Sequence, residues 1–203
     1  MTKSQTGKKT PAQPEVSAEN LASAARRVVG KGPAPVHLWD PPFCGDLDIR
    51  IARDGTWFYL GTPIGRPELV RLFASILKRE GEDFFLVTPV EKVGIRVDDA
   101  PFVAVDFEVA NTGRNQVLTF ETNLGERIEA GPANKLRFER DAKTGEPAPY
   151  VMVRAGLEAL IDRKSFYRLV EQGAHVDLDG ESWFGLWSGG AFFPVIRSSE
   201  LDV

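Results

Sequence analysis

The segment Gly55-Thr-Trp-Phe-Tyr-Leu-Gly-Thr-Pro-Ile-Gly65, continued by Arg66-Pro-Glu-Leu-Val-Arg-Leu-Phe73, decides the fold of this chain. It predicts a strand, then a turn rich in glycine and proline, then a helix. Apolar residues recur at helical spacing in and after its second part: Leu69, Leu72, Phe73, Ile76 and Leu77. One face of this helix must therefore be buried. Pro67 suits its first position, and Gly81 is expected to end it in the left-handed conformation.

The composition is that of a folded protein with no strong electrostatic signature. Of the 203 residues, 42% are hydrophobic and 27% charged, which suffices for a core and argues against a disordered chain. The net charge is −4, and no basic run alternates with aromatic residues, which disfavours nucleic-acid binding. No apolar run has the length of a membrane span or of a signal-peptide core, so we expect no membrane association. The single cysteine, Cys44, excludes an internal disulfide and favours a cytoplasmic location.

The chain predicts a tail and two α+β halves. Residues 1–35 are rich in Lys, Pro, Ser, Ala and Gln, so we expect a flexible tail with at most a short helix around Glu19–Val29 that docks on the body. Residues 36–100 are expected to form an N-terminal α+β domain. Residues 101–203 are expected to form a β-rich C-terminal domain with one helix.

Short apolar strands separated by turn residues fill both halves. In the first half we predict the strands Leu47–Arg53, Thr56–Leu60, Phe84–Thr88 and Val93–Val97. In the second half the predicted strands are Phe102–Val109, Gln116–Thr122, Glu126–Ala130, Leu136–Arg140, Tyr150–Arg154, Val176–Leu178, Ser182–Trp187 and Ala191–Ile196. A second helix is predicted over Arg163–Gln172, with Asp162 as its cap.

A short internal repeat indicates a duplication. Ile64-x-Arg66 before the first helix matches Ile161-x-Arg163 before the second, 97 residues later. Both helices then present apolar residues at the same positions, and strands precede and follow each. We therefore predict two related α+β units that meet face to face.

Catalytic and metal chemistry have little support. Cys44 with His37 or His175 could supply a nucleophile and a base, but a lone cysteine beside proline and phenylalanine is usually a small buried hydrophobe. Asp177-Leu-Asp-Gly-Glu181 is similar to part of a calcium loop, yet it lacks the distal glutamate, and a hairpin turn explains it better. Glu91 could act as a general base, but no second catalytic group stands near it. We predict no metal site and no catalytic residue, and an enzyme is the least favoured function.

An anion site is the stronger candidate. Gly65 and Arg66 stand at the start of the first helix, where backbone N–H groups and the helix dipole attract an anion. The guanidinium of Arg66 adds a forked donor for phosphate or carboxylate. The alternative is that Arg66 and Arg163 each pair with a structural carboxylate, and the sequence leaves both possibilities open.

Aromatic residues supply a second signal. Trp57 and Tyr59 share one face of their strand, and Phe58 and Leu60 share the other. If the second pair lies in the core, the first pair faces the other half, a ligand or a neighbouring protein. The tight turn Trp187-Ser-Gly-Gly190 has an open backbone that a ligand could approach closely. Together these signals favour a cleft between the halves.

Longer motifs add a resemblance that covers almost all of residues 39–195. They are Phe43-Cys-Gly-Asp46, Asp54-Gly-Thr-Trp-Phe-Tyr-Leu-Gly-Thr-Pro-Ile-Gly-Arg66, Leu86-Val-Thr-Pro-Val-Glu-Lys-Val-Gly94, Asp98-Asp-Ala-Pro-Phe102, Phe120-x-Thr-Asn123, Pro149-Tyr150 with Val153-Arg154, and Trp187-Ser-Gly-Gly190. In these motifs the chain resembles the proteobacterial family catalogued as domain of unknown function 1285. The resemblance implies a duplicated α+β core whose C-terminal half is loosely similar to pleckstrin-homology folds. It also implies a signalling role with a nucleotide-like ligand between the halves, and it brings no catalytic residue.

The leading hypothesis is a cytoplasmic ligand-binding or signal-transduction protein that binds a nucleotide-like anion at the interface of its two domains. The residues expected to bind this ligand are Trp57, Tyr59, Arg66, Glu91, Asn123, Arg154 and Trp187. The arginines would neutralise phosphate, the aromatic rings would offer stacking surface, and the glutamate and asparagine would supply hydrogen bonds. The alternative is a protein-interaction adaptor without a small-molecule ligand. Neither hypothesis involves a known cofactor, a metal, nucleic acid or a membrane.

Overall fold

A computed structural model of the chain describes residues 17–30, 33–140 and 145–201. Within these ranges the α-helices are α1 (Ala18–Val28), α2 (Pro67–Ser75) and α3 (Arg163–Val170). The strands form two six-stranded sheets and one three-stranded sheet. None of the helices in the described ranges has the length and apolar character that a bilayer crossing requires.

The first sheet belongs to the N-terminal half. Its strands are β1 (Phe43–Ile51), β2 (Trp57–Tyr59), β3 (Thr62–Pro63), β4 (Leu77–Glu80), β5 (Asp83–Val87) and β6 (Lys92–Val97). They lie in the order β3-β2-β1-β6-β5-β4. The central neighbours β1 and β6 are parallel, and the other neighbours are antiparallel. Helix α2 connects β3 to β4 and buries Leu69 and Phe73, as predicted, together with Val70.

The second sheet repeats this arrangement. Its strands are β7 (Phe102–Ala110), β8 (Val117–Thr122), β9 (Arg127–Glu129), β10 (Leu136–Arg140), β11 (Pro147–Arg154) and β12 (Leu157–Ile161). The order is β10-β11-β12-β7-β8-β9, with β12 and β7 parallel and the other neighbours antiparallel. Each sheet is thus two three-stranded meanders joined by a parallel pair of its first and last strands.

This shared topology confirms the duplicated architecture, but its register differs from the repeat seen in the sequence. Strand β1 corresponds to β7, so the two copies begin at Phe43 and Phe102. Helix α2 lies inside the first copy, between its third and fourth strands, whereas α3 follows the last strand of the second copy. The match between Arg66 and Arg163 therefore relates two helix starts that are not equivalent positions in the two copies.

A third sheet follows α3 and packs on the second copy. Its antiparallel strands are β13 (Ala174–Leu178), β14 (Glu181–Ser188) and β15 (Ala191–Arg197). At the β14–β15 turn, Ser188 Oγ accepts a hydrogen bond from the Leu118 amide at 2.9 Å and donates one to the Ala130 carbonyl at 2.7 Å. The mixed sheets and few helices agree with an α+β class. The pleckstrin-homology likeness of the C-terminal half stays a prediction.

Helix α2 is shorter than predicted. It ends at Ser75, and the residues expected to form its last turn form β4 instead. Gly81 lies in the β4–β5 turn with a φ of +62°, so it bends a hairpin and does not end a helix. Leu77 stays buried because it pairs with Leu86 across β4 and β5. A strand thus satisfies the same apolar positions that suggested another helical turn.

Helix α1 shows that part of the predicted tail is ordered. The hydroxyl of Ser17 caps it by accepting a hydrogen bond from the Asn20 amide at 3.3 Å. Leu21 and Ala25 are fully buried in the core that runs through both halves. The docking helix predicted around these positions is therefore present, while residues 1–16 lie outside the described ranges.

Candidate functional site

The structure places Trp57 and Tyr59 on the core side of the first sheet. Both pair with buried residues of β1, and Trp57 is only 2% exposed, with its ring stacked on Phe73 at a centroid distance of 6.4 Å. Phe58 takes the opposite side, where the guanidinium of Arg50 lies 4.6 Å from its ring centroid. The expectation that Trp57 offers stacking surface to a ligand is therefore wrong, because packing against α2 covers its ring. Tyr59 remains half-buried.

Arg154 connects the two halves instead of facing an open cleft. It forms a salt bridge with Glu126, and its Nη2 donates to the Ala74 carbonyl of α2 at 2.9 Å. Its guanidinium also lies 5.0 Å from the centroid of the Phe102 ring. A cation at the C-terminal end of a helix is favourable, since the helix dipole is negative there. These contacts argue against the predicted role of Arg154 as a phosphate-binding residue.

Asn123 also joins the halves. Its Oδ1 accepts from the Val103 amide at 3.1 Å, and its Nδ2 donates to the Gly55 carbonyl at 3.5 Å. Gly55 has a φ of +82°, and a Cβ there would lie 2.5 Å from Nδ2. The β1–β2 turn of the first copy therefore needs glycine in order to approach Asn123. The amide expected to bind a ligand holds the two copies together.

Trp187 and the turn after it are likewise committed to the protein. The Trp187 carbonyl accepts from Gln116 Nε2 at 2.9 Å, and the guanidinium of Arg114 lies 5.4 Å from its ring. A Cβ at Gly189 would lie 3.0 Å from the Ala130 carbonyl. The close backbone approach predicted for this turn exists, but it is toward the second sheet and not toward a ligand.

Glu91 lies in the β5–β6 turn, apart from the other predicted site residues. The Thr88 hydroxyl shapes this turn by accepting from the Val90 and Glu91 amides at 3.4 and 3.2 Å. Burial raises the pKa of the Glu91 carboxyl, since no cation among the described residues offsets the loss of water. Cys44, the other residue considered for catalysis, is exposed and not buried as expected, and its thiol donates to the Pro42 carbonyl at 3.4 Å.

A polar cavity of about 620 Å³ lies between the two six-stranded sheets, where the anion was expected. Arg137 binds Glu158 at 2.8 Å, and Arg79 binds Glu82 at 3.3 Å. The charged residues that line the cavity are Arg79, Glu82, Asp99, Arg137, Glu139 and Glu158. Carboxylates outnumber guanidinium groups, and both arginines are already paired. The electrostatics of this cavity therefore disfavour an anion.

The same cavity contains a buried tyrosine. The Tyr150 hydroxyl donates to Asp99 Oδ1 at 2.8 Å, and Arg137 lies over its ring at 4.2 Å. Burial, with a contribution from Asp99, raises the pKa of this hydroxyl. Arg53 Nε lies 3.2 Å from the second Asp99 oxygen. These contacts fix the connection between the halves at Asp99, next to Ala100.

A second cavity, of about 470 Å³, lies between α1 and the start of α2. It contains two of the predicted site residues, Tyr59 and Arg66. From α1 it receives Arg26 and Glu19. Its remaining wall is largely apolar and includes Ile64, Leu69 and Phe73.

The two arginines of this cavity are free of carboxylates in the part of the chain that the structure describes. Arg66 and Arg26 are both exposed. Arg163, which matches Arg66 in the sequence repeat, lies 3.7 Å from Glu146 and donates to the Tyr167 hydroxyl. Arg66 is also the residue that precedes α2, and no side chain caps that helix. The sequence left open whether each arginine pairs with a carboxylate. Among the described residues Arg163 pairs with Glu146, and Arg66 has no such partner. Sequence reasoning missed Arg26, because its segment was assigned to the tail.

Metal binding has no structural support in the described ranges. No three of their His, Cys, Asp and Glu residues are grouped so that they could hold an ion. His175 Nδ1 lies 2.7 Å from Ser198 Oγ. The segment compared with a calcium loop is the β13–β14 hairpin, where Asp179 and Gly180 both have positive φ.

Comparison with known families follows the division into two halves. The N-terminal domain model of a family of unknown function, DUF1285, matches residues 34–100, and the C-terminal domain model of the same family matches residues 101–195. The chain belongs to the DUF1285 family.

Two solved DUF1285 structures are similar to this chain. A DUF1285 family protein from Silicibacter pomeroyi DSS-3 is 66% identical, with a TM-score of 0.83, over 90% of this chain and 98% of that one. A DUF1285 family protein from Shewanella baltica OS155 is 30% identical, with a TM-score of 0.50, over 62% of this chain and 92% of that one. No curated protein matches the chain. Family and fold are thus shown, and these comparisons name no ligand.

Proposed function

We propose that this DUF1285 protein binds a small nucleotide-like anion in the cavity between α1 and the start of α2. The observation that carries the proposal is that Arg26 and Arg66 line one cavity, and neither has a carboxylate partner among the described residues. Glu19 is the only acidic side chain among the lining residues that the structure describes, so the cavity has a positive balance. The site lies beside the N-terminal half and not at the interface of the two halves.

The chemistry of the cavity suits an anionic group attached to an apolar or aromatic body. Guanidinium groups bind phosphate through two parallel hydrogen bonds. The helix start adds few donors, since Pro67 has no N–H and the Leu69 amide already donates to the Arg66 carbonyl at 3.0 Å. Tyr59, Ile64 and Phe73 supply an apolar surface, and Thr62 adds a hydroxyl. A volume of about 470 Å³ is within the usual range for small-molecule sites.

Thermal unfolding with ADP, inorganic phosphate and uncharged adenosine tests the proposal. Ligand at about 100 times its Kd adds about 2.7 kcal/mol of stability, which raises the Tm of a chain of this size by about 5–10 °C. We expect this rise with ADP or phosphate at millimolar concentration, and its loss in Arg66→Ala. The matched control is Arg71→Ala, which removes the same charge from α2 at a residue outside this cavity.

Two outcomes would contradict the proposal. One is no Tm shift with either anion at millimolar concentration. The other is a shift that Arg66→Ala and Arg71→Ala reduce equally, since that would indicate general charge screening and not this cavity. Signal transduction, as a sensor of the bound anion, is the wider role that we propose for such binding.

A protein-interaction adaptor is the second candidate, and the outer side of the first sheet favours it. Phe43 is 55% exposed there and meets the ring of Phe85 edge-on at 6.1 Å. Large exposed aromatic residues are enriched at interfaces. If this role is correct, Phe43→Ala abolishes the capture of a partner protein, and Arg66→Ala leaves it unchanged. The opposite pattern would remove the outer side of the sheet as a docking surface.

A further inference from the structure

We infer that anion binding is coupled to the docking of α1, so that the bound anion holds this helix on the body of the protein. The inference rests on the proposed function, because it concerns the regulation of the same cavity. Arg26 comes from α1 and Arg66 from the start of α2, so the cavity exists only while α1 is docked. The site is therefore completed by an element that is not part of either copy of the duplicated sheet.

The apolar surface that holds α1 is small. Its buried residues are Leu21 and three alanines, Ala18, Ala22 and Ala25. By contrast, the buried face of α2 includes Phe73 as well as leucine and valine. Alanine buries little apolar area, and an ordered helix loses backbone entropy at every residue. The docking of α1 is thus expected to be close to balance, and modest charge effects can shift it.

Charge acts against docking while the cavity is empty of anion. Arg26 and Arg66 line the same cavity, Glu19 is its one acidic lining residue in the described chain, and neither arginine forms an ion pair there. Their mutual repulsion opposes the approach of α1 to α2. An anion between the two guanidinium groups replaces this repulsion with two attractions. By linkage, the free energy by which the bound anion stabilises the docking of α1 equals the free energy by which docking strengthens anion binding.

The chain keeps α1 near its docking site. The Ala34 amide donates to the Ser75 carbonyl at 2.9 Å, which fixes the chain to the end of α2 shortly after α1 ends at Val28. A short tether gives the helix a high effective concentration at its site. Release and return of α1 are therefore a local equilibrium that does not require the rest of the fold to open.

Hydrogen exchange of residues 18–28 in the full chain without ligand tests the repulsion. Arg66→Ala removes one of the two charges, so we expect α1 amides to exchange more slowly than in the unmodified protein, by about fivefold. Raising the salt concentration should act in the same direction, since it screens the repulsion. Arg96→Ala is the matched control, because it removes an exposed arginine of β6 that lines neither cavity beside α1, and it should leave α1 exchange unchanged. Equal exchange in Arg66→Ala and the unmodified protein overturns the inference.

A second measurement uses ADP and inorganic phosphate as probes. Leu21 is buried under α1 and does not line the cavity, so Leu21→Ala should weaken probe binding by about fivefold or more only if docking and binding are coupled. Leu169→Ala is the matched control, because it removes an equally buried leucine from α3. The probes should also slow α1 exchange in the unmodified protein.

The outcomes separate the two proposals. If neither probe shifts the Tm, the proposed function fails and the inference fails with it. If a probe shifts the Tm in an Arg66-dependent way but leaves α1 exchange and the Leu21→Ala affinity unchanged, only the inference is overturned. Weaker binding in Leu21→Ala and Leu169→Ala alike would mean loss of general stability and would also overturn it.

Discussion

The starts of α2 and α3 look alike in sequence and differ in structure. Ile64-Gly-Arg66 leads into α2, and Ile161-Asp-Arg163 leads into α3. At α3 the Asp162 carboxylate accepts from the Ser165 amide at 2.7 Å and caps the helix. Helix α2 begins one residue later relative to this repeat, so its cap position falls on Arg66, whose side chain does not cap the helix and has no carboxylate partner in the described ranges. A shift of one residue in the cap position thus separates a helix start capped by aspartate from one that presents an arginine.

This comparison also shows where the two copies are held together. The polar residues expected at a ligand site, Asn123 and Arg154, instead bind backbone carbonyls of the first copy at Gly55 and Ala74. Arg26 and Arg66, which have no carboxylate partner among the described residues, lie at the start of α2, beside α1. The interface of the halves is therefore a structural contact, and the candidate site lies away from it.

The largest expected effect is the loss of contact between the halves in Arg154→Ala. This change leaves Glu126 without its partner and removes the bond to the Ala74 carbonyl, so we expect unfolding to cost about 2–3 kcal/mol less. Denaturant titration measures this change. Arg127→Ala, which breaks an exposed pair with Glu108, is the control and should cost about 0–1 kcal/mol. Equal effects of the two changes would mean that Arg154 is an ordinary surface residue.

The next prediction places an aspartate directly before Arg66, as Asp162 stands directly before Arg163. Gly65→Asp places a carboxylate beside Arg66, and a Cβ at Gly65 meets nothing within 4 Å. We expect at least about a tenfold loss in affinity for ADP or phosphate, equivalent to about 1.4 kcal/mol, because the carboxylate repels the anion and competes for the guanidinium. Titration calorimetry measures the affinity. Gly65→Asn adds a side chain of similar size without the charge and should bind more tightly than Gly65→Asp; equal binding by the two variants would contradict the explanation.

The reverse change opens the α3 start. Asp162→Ala removes the cap from Ser165, and caps of this type contribute about 1 kcal/mol. A lowered Cm in urea at unchanged m would confirm it. Asp162→Asn keeps a capping oxygen and should retain most of the stability. A full loss in both variants would show that the charge of Asp162, and not its hydrogen bond, holds the helix start.

The smallest effect concerns the equivalent turns of the two copies. The β5–β6 turn holds the half-buried Glu91, whereas the β11–β12 turn holds Ala155 and Gly156. Burial raises the pKa of Glu91 above 4.5 in the folded state. The folded state therefore binds the proton more tightly, so the contribution of Glu91 to stability is lost as the pH rises from about 4.5 through the raised pKa. The free energy of unfolding, measured across this pH interval, should fall less steeply in Glu91→Gln than in the unmodified protein. An unchanged slope would contradict the raised pKa.

Most strands could be predicted from the sequence, because alternating apolar residues and turn glycines identify them. Two errors have a physical cause. The apolar positions after Ser75 fit a helix and a strand equally well, and only the partner strand β5 decides between them. Strand β12 was missed because its five residues, Leu157–Ile161, directly follow the tight turn at Ala155 and Gly156. The sequence has no longer run of turn residues there to mark the start of a new strand.

The site was predicted only in part. Arg66 was identified from the helix start, which is a local feature of the sequence. Arg26 was not, because its role depends on the docking of α1 against α2. Trp57 was assigned to the wrong side of its strand, since alternation tells which residues share a side but not which side faces the core. Asn123 and Arg154 were assigned to a ligand because spacing does not show that a carbonyl of the other half will bind them.

The parallel pairing of first and last strands in each copy has a consequence for folding. The meanders β1-β2-β3 and β4-β5-β6 are local in sequence, but β1 meets β6 only after the chain between them has been ordered. Contacts between residues far apart in sequence slow folding, because loop-closure entropy is lost before they form. Each sheet should therefore assemble from two quickly formed meanders, with their parallel junction as the late and rate-limiting event.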